Sequence, residues 1–360
     1  MTYKIDNLSI KELQKFIIDL NEKPFRAKQL YKWIYQKGIT SFEEMTDLPL
    51  NFRDKLSDIF EFTKITPIEQ LLSKLDGSIK VLFELEDKNY IESVLMFDGE
   101  RVTACVSTQV GCRMGCKFCN TAKIGLIRNL TSGEIIRQII YLKDLARQNN
   151  KLLSNIVFMG MGEPLDNYEN LTNSLDIILD EDGLNFSHRK VTVSTCGIID
   201  KLYTLSKNYK VNIAISLNAS SNKIRSKLMP INKKFNIEEI IKSIKNLPIP
   251  KRKRITIEYV LIDGINNTKR DANLLVKLLK GLPVKVNLIV YNKIKDSQFN
   301  PPDLNYALNF QKTLINNGVA TFIRKSFGQD IEAACGQLYA KYYKERGLWK
   351  RSNLTQEIKQ

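Results

Sequence analysis

Gly111-Cys112-Arg113-Met114-Gly115-Cys116-Lys117-Phe118-Cys119-Asn120 places three cysteines in a CxxxCxxC run. Val102–Ser107, just before it, reads as a strand, so the thiols are expected on a loop leaving a strand end. Three thiolates on one tight loop can wrap a metal centre, and the two interspersed glycines ease the turn. A structural zinc site wants four protein ligands. The chain has a single histidine, His188, which reads as part of a surface loop, and no second CxxC pair. A thioredoxin-like reading of Cys116 and Cys119 leaves Cys112 unexplained. A 4Fe-4S cluster on three cysteines leaves one iron open to a further ligand, which suits catalysis better.

From about residue 100, β-rich runs alternate with helical patterns. The strand candidates are Val102–Ser107, Asn155–Phe158, Lys190–Ser194, Val211–Leu217, Arg254–Leu261, Val284–Val290 and Val319–Ile323. Capped helices fall between them, such as the one opened by Thr131-Ser132-Gly133-Glu134. Strand–helix alternation repeated about six times predicts a parallel α/β barrel, complete or partial, with its chemistry at the carboxyl ends of the strands. Upstream, Ser9-Ile10-Lys11-Glu12 is a capping box followed by Leu13, Phe16, Ile17 and Leu20 at helical spacing. Leu30, Trp33 and Ile34 mark a second helix, and Ser41-Phe42-Glu43-Glu44 opens another capped turn; Tyr31, Trp33 and Tyr35 read as core. Between 65 and 98 the period becomes two, and Glu86-Asp87-Lys88-Asn89 joins two strands into a hairpin. Four units are therefore expected: a helical unit over 1–62, a β-hairpin linker over 63–98, the barrel over 99–335 and a basic helical tail over 336–360.

The 360 residues, 43% hydrophobic and 26% charged, are ordinary globular composition and exclude a disordered or collagen-like chain. No window approaches the roughly 18 apolar residues of a membrane span, and the start lacks a signal-peptide pattern. Six cysteines in such a chain point to a reducing cytoplasm and to metal or catalytic thiols. The net charge of +16 is concentrated: residues 201–300 hold 21 Lys and Arg against 6 Asp and Glu. A localised basic region predicts a polyanion partner, nucleic acid in preference to membrane because no amphipathic anchor accompanies it.

CxxxCxxC with an aromatic before its last cysteine, opening an α/β barrel, resembles the radical S-adenosylmethionine (SAM) superfamily. Cys105-Val106-Ser107-Thr108-Gln109-Val110-Gly111-Cys112, Phe158-Met159-Gly160-Met161-Gly162-Glu163-Pro164-Leu165 and Ala333-Ala334-Cys335-Gly336-Gln337-Leu338 resemble the RlmN family. The likeness runs over nearly the whole chain. It implies a partial (β/α)6-type radical SAM barrel with a small helical amino-terminal domain and a β-hairpin extension. It also implies a cytoplasmic, monomeric methyltransferase acting on carbon 2 of adenine in 23S rRNA and tRNA, fed electrons by a flavodoxin or ferredoxin.

The same resemblance distributes roles. Cys112, Cys116 and Cys119 would hold one 4Fe-4S cluster whose open iron binds SAM. Cys335 would take a methyl group from one SAM, a radical from a second would activate it, and Cys105 would then attack Cys335, releasing the product through a transient disulfide. This is covalent catalysis that splits one hard step into easier ones. Glu92, in Tyr90-Ile91-Glu92-Ser93-Val94, matches the proton acceptor. Gly162, Glu163, Ser194, Ser216, Leu217, Asn218 and Asn292 match SAM contacts. Asn218 stands where the family commonly has histidine; an amide can still donate and accept a hydrogen bond. Cys196 matches no catalytic position and is expected to be packing, as free cysteines usually are. The alternatives are a Cfr-type carbon-8 methyltransferase, a zinc-bearing RNA-binding protein without activity, and a radical SAM enzyme acting on a protein or small molecule.

Overall fold

The structure is a computed structural model that describes residues 2–250 and 252–339. The expected helical tail therefore lies, from residue 340 on, outside the described residues. Ser9 Oγ accepts from Glu12 N while the Glu12 carboxylate accepts from Ser9 N, and helix Ile10–Asp19 follows. Helix Phe25–Tyr31 runs on into a π turn over Lys32–Lys37, and Leu50–Ile59 completes the amino-terminal unit. Tyr31 and Tyr35 are buried in the core, and the half-buried Trp33 donates Nε1–H to Asp47 at 2.6 Å. These aromatics pack, as the periodicity predicts.

Seven parallel strands follow one another in the order Arg101–Cys105, Asn155–Phe158, Val191–Thr195, Asn212–Ser216, Ile255–Leu261, Val284–Val290 and Thr321–Ile323. Each lies within two residues of its sequence expectation. Helices Ser132–Gln148, Tyr168–Leu179, Ile199–Asn208, Ile237–Asn246, Lys269–Leu279 and Leu304–Asn316 fill the intervals. The two edge strands of the sheet do not pair with each other, so the barrel is partial.

The segment from 65 to 98 is more than a hairpin beside the barrel. Tyr90–Asp98 pairs antiparallel with Arg101–Cys105, Val94 opposite Cys105, and Ile79–Leu85 and Ile65–Leu72 extend the same sheet outward to ten strands. A second departure is a small antiparallel pair, Gln109–Gly111 with Leu126–Asn129, standing outside the main sheet.

Alternation along the barrel strands sorts their side chains. In Val191–Thr195 the valines and Thr195 are buried, and Thr192 and Ser194 are half-exposed. Thr192, Asn212, Lys285 and Asn287 line one cavity, so the inner face keeps polar groups and an open lumen. No helix among the described residues is long and apolar enough to cross a membrane.

The amino-terminal unit is fastened to the barrel by a buried charge pair. Asp6, fully buried, accepts from Arg137 Nε at 2.7 Å, from Thr63 Oγ1 at 2.5 Å and from the Thr63 amide. Arg137 stands on helix Ser132–Gln148 and also donates to Ile39 O at 2.8 Å. Removing one member of a buried pair leaves the other uncompensated, at a cost of about 3–5 kcal/mol. Arg137→Met is therefore expected to lower the free energy of unfolding by about that amount in urea denaturation. A loss under about 1 kcal/mol would contradict this role for the pair.

Candidate active site

The cysteine loop is built from its two ends. Cys112 N donates to Gly125 O at 2.8 Å, closing the small strand pair across the loop. Gly111 has φ +76, and a Cβ there would stand 1.8 Å from Gly125 O, so the closure requires glycine. At the far end Asn120 N donates to Gly336 O at 2.7 Å and Thr121 Oγ1 to Leu338 O at 2.8 Å. The loop that carries three cysteines thus also anchors the segment that carries Cys335.

Cys112, Cys116 and Cys119 line one cavity of about 940 Å³ at the carboxyl ends of the barrel strands. Burial pushes the Cys112 thiol up to about 12, and desolvation raises Cys116 and Cys119 as well. Such thiols ionise when a metal binds them. Among the described residues no group of three or more His, Cys, Asp or Glu converges as a single metal ion requires. Cys112, Cys116 and Cys119, carried by one loop into one cavity, fit a larger centre with an open coordination position.

The opposite walls come from strand ends. Gly162 has φ +102, and a Cβ there would meet Gln109 Cβ at 2.6 Å, so this turn seats directly on the segment before the cysteine loop. Glu163 is buried: its Oε2 accepts from Cys196 N at 2.7 Å, its Oε1 from Leu165 N at 3.1 Å, and burial raises its carboxyl above the usual range. Ser194, Ser216, Asn218 and Asn292 face the same cavity. Asn292 donates to Cys335 O at 3.3 Å and accepts from Gln329 at 2.8 Å.

Asn218 adopts φ +56, a left-handed conformation that Asn tolerates better than most residues. Its Oδ1 accepts from Val260 N at 2.9 Å, and its Nδ2 contacts Met229 Sδ at 3.3 Å. The amide is thus used within the wall. Leu217 is fully buried and is not part of the cavity lining; its carbonyl accepts from Arg225 Nε at 3.1 Å.

Cys105 and Cys335 line a second cavity of about 670 Å³, which shares Cys119, Met159, Asn292, Arg324 and Cys335 with the first. Burial, with the neighbouring Cys335, pushes the Cys105 thiol up to about 12, and Arg324 opposes that rise. Glu92 lines neither of these cavities. Its Oε1 lies 3.3 Å from Lys80 Nζ, and its Oε2 accepts from Tyr339 N at 2.6 Å, just past the Cys335 segment.

Three groups to which the sequence assigns no site role stand here. Arg324, from the edge strand's end, stands at the junction of these cavities, and its charge is favoured first by Cys335. Glu258, also in the wall, has an Oε2 with no hydrogen-bond partner among the described residues, 3.9 Å from Arg324 Nη1. Cys196, expected to be packing, is buried and yet faces the first cavity. None of them sits in a motif, and only proximity reveals them. His188 begins a short 3₁₀ turn before its strand and lines none of these cavities.

A third cavity, of about 1780 Å³, opens at the amino ends of the strands and reaches Met159, Glu258 and Arg324. Arg101, Arg189, Arg254, Lys285, Arg324 and Lys325 line it against Asp98 and Glu258. Only Arg254 and Lys285 belong to the basic stretch 201–300. Lys253, in the same run, is half-buried and donates to Val211 O at 2.5 Å; burial lowers it to about 8.

Residues 4–62 match the family described as ribosomal RNA large subunit methyltransferase N-terminal domain, and residues 106–274 match the radical SAM superfamily. The dual-specificity RNA methyltransferase RlmN 2 of Myxococcus xanthus is 46% identical over 340 residues, 93% of this chain and 90% of that one. RlmN of Syntrophus aciditrophicus is 43% identical, covering 95% and 98%. The crystal structure of a radical SAM methyltransferase from Sphaerobacter thermophilus superposes with a TM-score of 0.89 at 38% identity, covering 94% of this chain and 99% of that one.

Gly111→Ala tests the loop closure. The variant is expected to keep its far-UV circular dichroism and to lose most of the iron that the anaerobically purified protein carries. Iron content equal to the unaltered protein would contradict it.

Proposed function

The chain belongs to the RlmN family of radical SAM methyltransferases, and on that premise we propose that it methylates carbon 2 of an adenine in 23S rRNA, at the peptidyl-transferase centre, and in tRNA, 3′ of the anticodon. The observation that carries this reading is the meeting of Cys105 and Cys335, distant in the chain, in a cavity continuous with the one lined by Cys112, Cys116 and Cys119.

Carbon 2 of adenine is not nucleophilic, so direct displacement on SAM does not methylate it. When bound, the cluster on Cys112, Cys116 and Cys119 supplies the electron that opens radical chemistry on SAM. Gly162 and Glu163 would receive the SAM amino group, where close backbone approach and a carboxylate acceptor are both available. Ser194, Ser216 and Asn292 offer further polar contacts on the same walls. Asn218 would act by holding the wall, its own amide being engaged.

Cys335 is the methyl carrier in this reading, and Cys105 is the resolving thiol that attacks its sulfur to release the product. A thiol held near 12 is a poor nucleophile until its proton leaves, and Arg324 beside it favours the thiolate. Glu92 would take the proton from carbon 2. The Tyr339 amide now bonded to its Oε2 must give way first, so base access is tied to movement of the Cys335 segment.

The basic passage at the amino ends of the strands suits a phosphate backbone, with affinity falling steeply with salt. An adenine removed from its stack could reach Cys335 by that route. The Cfr-type carbon-8 alternative is not favoured, because the relatives and the amino-terminal match are of the RlmN kind. Monomeric action in the cytoplasm, with a flavodoxin or ferredoxin as reductant, completes the proposal.

Cys105→Ala removes the resolving thiol while Cys335 can still attack. It is expected to accumulate a covalent protein–RNA adduct that survives denaturing electrophoresis. Normal product turnover by that variant would contradict the role of Cys105.

A further inference from the structure

Arg225, on the short helix Asn222–Leu228, is fully buried and is among the largest buried side chains in the molecule. Its Nε donates to Leu217 O at 3.1 Å, Nη1 to Asn232 Oδ1 and Phe235 O at 3.0 Å each, and Nη2 to Cys196 O at 2.6 Å and Ser216 O at 3.4 Å. Every acceptor is neutral. No ion pair joins Arg225 to a carboxylate among the described residues, whereas the buried Arg137 has Asp6 at 2.7 Å.

Neutral carbonyls satisfy hydrogen bonds but leave the charge itself uncompensated, and an unpaired buried charge is costly. Arg225 stands directly behind the cysteine loop. Leu228, one turn on, accepts from Lys117 N at 2.9 Å, and the following Pro230 lies against Gly115. Cys196, whose carbonyl takes Nη2 at 2.6 Å, lines the same cavity as Cys112, Cys116 and Cys119. Three thiolates outweigh the double positive charge of an oxidised 4Fe-4S core, and reduction adds one more negative charge.

We propose that Arg225 is a positioning residue whose missing counter-charge is the anionic cluster, and that its fixed positive charge eases reduction of that cluster. The proposal rests on the reading of Cys112, Cys116 and Cys119 as cluster ligands. A buried charge is little screened, so its effect persists at high salt. It reaches the cluster through the cavity wall, without touching substrate.

The test uses the full chain reconstituted anaerobically, as unaltered protein, R225K and R225Q. Iron and sulfide content are measured first, then the cluster midpoint potential by EPR-monitored titration without SAM. R225K is expected to load and titrate close to the unaltered protein. R225Q is expected to load while its reduced-to-oxidised ratio at a fixed potential falls on the order of tenfold, a shift of about 59 mV to more negative potential for one electron. Failure of R225Q to fold or load, with R225K loading, supports the charge requirement equally. R225Q titrating with the unaltered protein, or both variants failing or shifting alike, overturns it. Unaltered protein that takes up no iron and sulfide would overturn the cluster reading itself and this assignment with it.

Discussion

The bond from Cys112 N to Gly125 O, 2.8 Å long, is the closure on which the site depends. It forms because Gly111 has no side chain where a methyl would collide with Gly125 O. With the near end pinched there, the far end, Asn120 and Thr121, binds the backbone of Gly336 and Leu338. One loop therefore sets the position of Cys112, Cys116, Cys119 and Cys335 together. Moving either end would separate groups that must share a cavity.

The open barrel supplies the complementary surface. Parallel strands bring Gly162, Glu163, Ser194, Ser216 and Asn292 to one rim, and the polar inner face leaves a lumen that continues to the amino ends. That face carries arginines and lysines from across the chain, so the basic character of the passage is a product of folding. Where charge is buried, it is paired in one place and not in another: Arg137 has Asp6, whereas Arg225 has only neutral acceptors among the described residues, the Cys196 carbonyl one of them.

Much of this was legible in the sequence. The barrel strands read correctly because each buries one face against helices, and Asn155–Phe158 and Val284–Val290 fall where expected. The capping boxes at Ser9 and Thr131 mark helix starts because their hydrogen bonds are local. What lay beyond reach depends on partners distant in the chain. The strand Ile65–Leu72 is mostly exposed on a sheet edge and carries a weak alternation. Leu217 shares a segment with Ser216 and Asn218 and nevertheless points away from the cavity, since neighbouring residues of extended chain face opposite sides. Arg324, Glu258 and Arg225 carry no local signature; their surroundings are set by segments distant in the chain, which periodicity does not encode.

If these thiols direct one methyl group to carbon 2 of adenine in RNA, the methylated nucleoside reports it. The most direct measurement is nucleoside mass spectrometry after anaerobic reaction of the reconstituted enzyme with 23S rRNA and tRNA, supplied separately with isotopically labelled SAM. Labelled 2-methyladenosine is expected from both RNAs. Labelled 8-methyladenosine, or no RNA methylation by protein carrying a full complement of iron and sulfide, would contradict it.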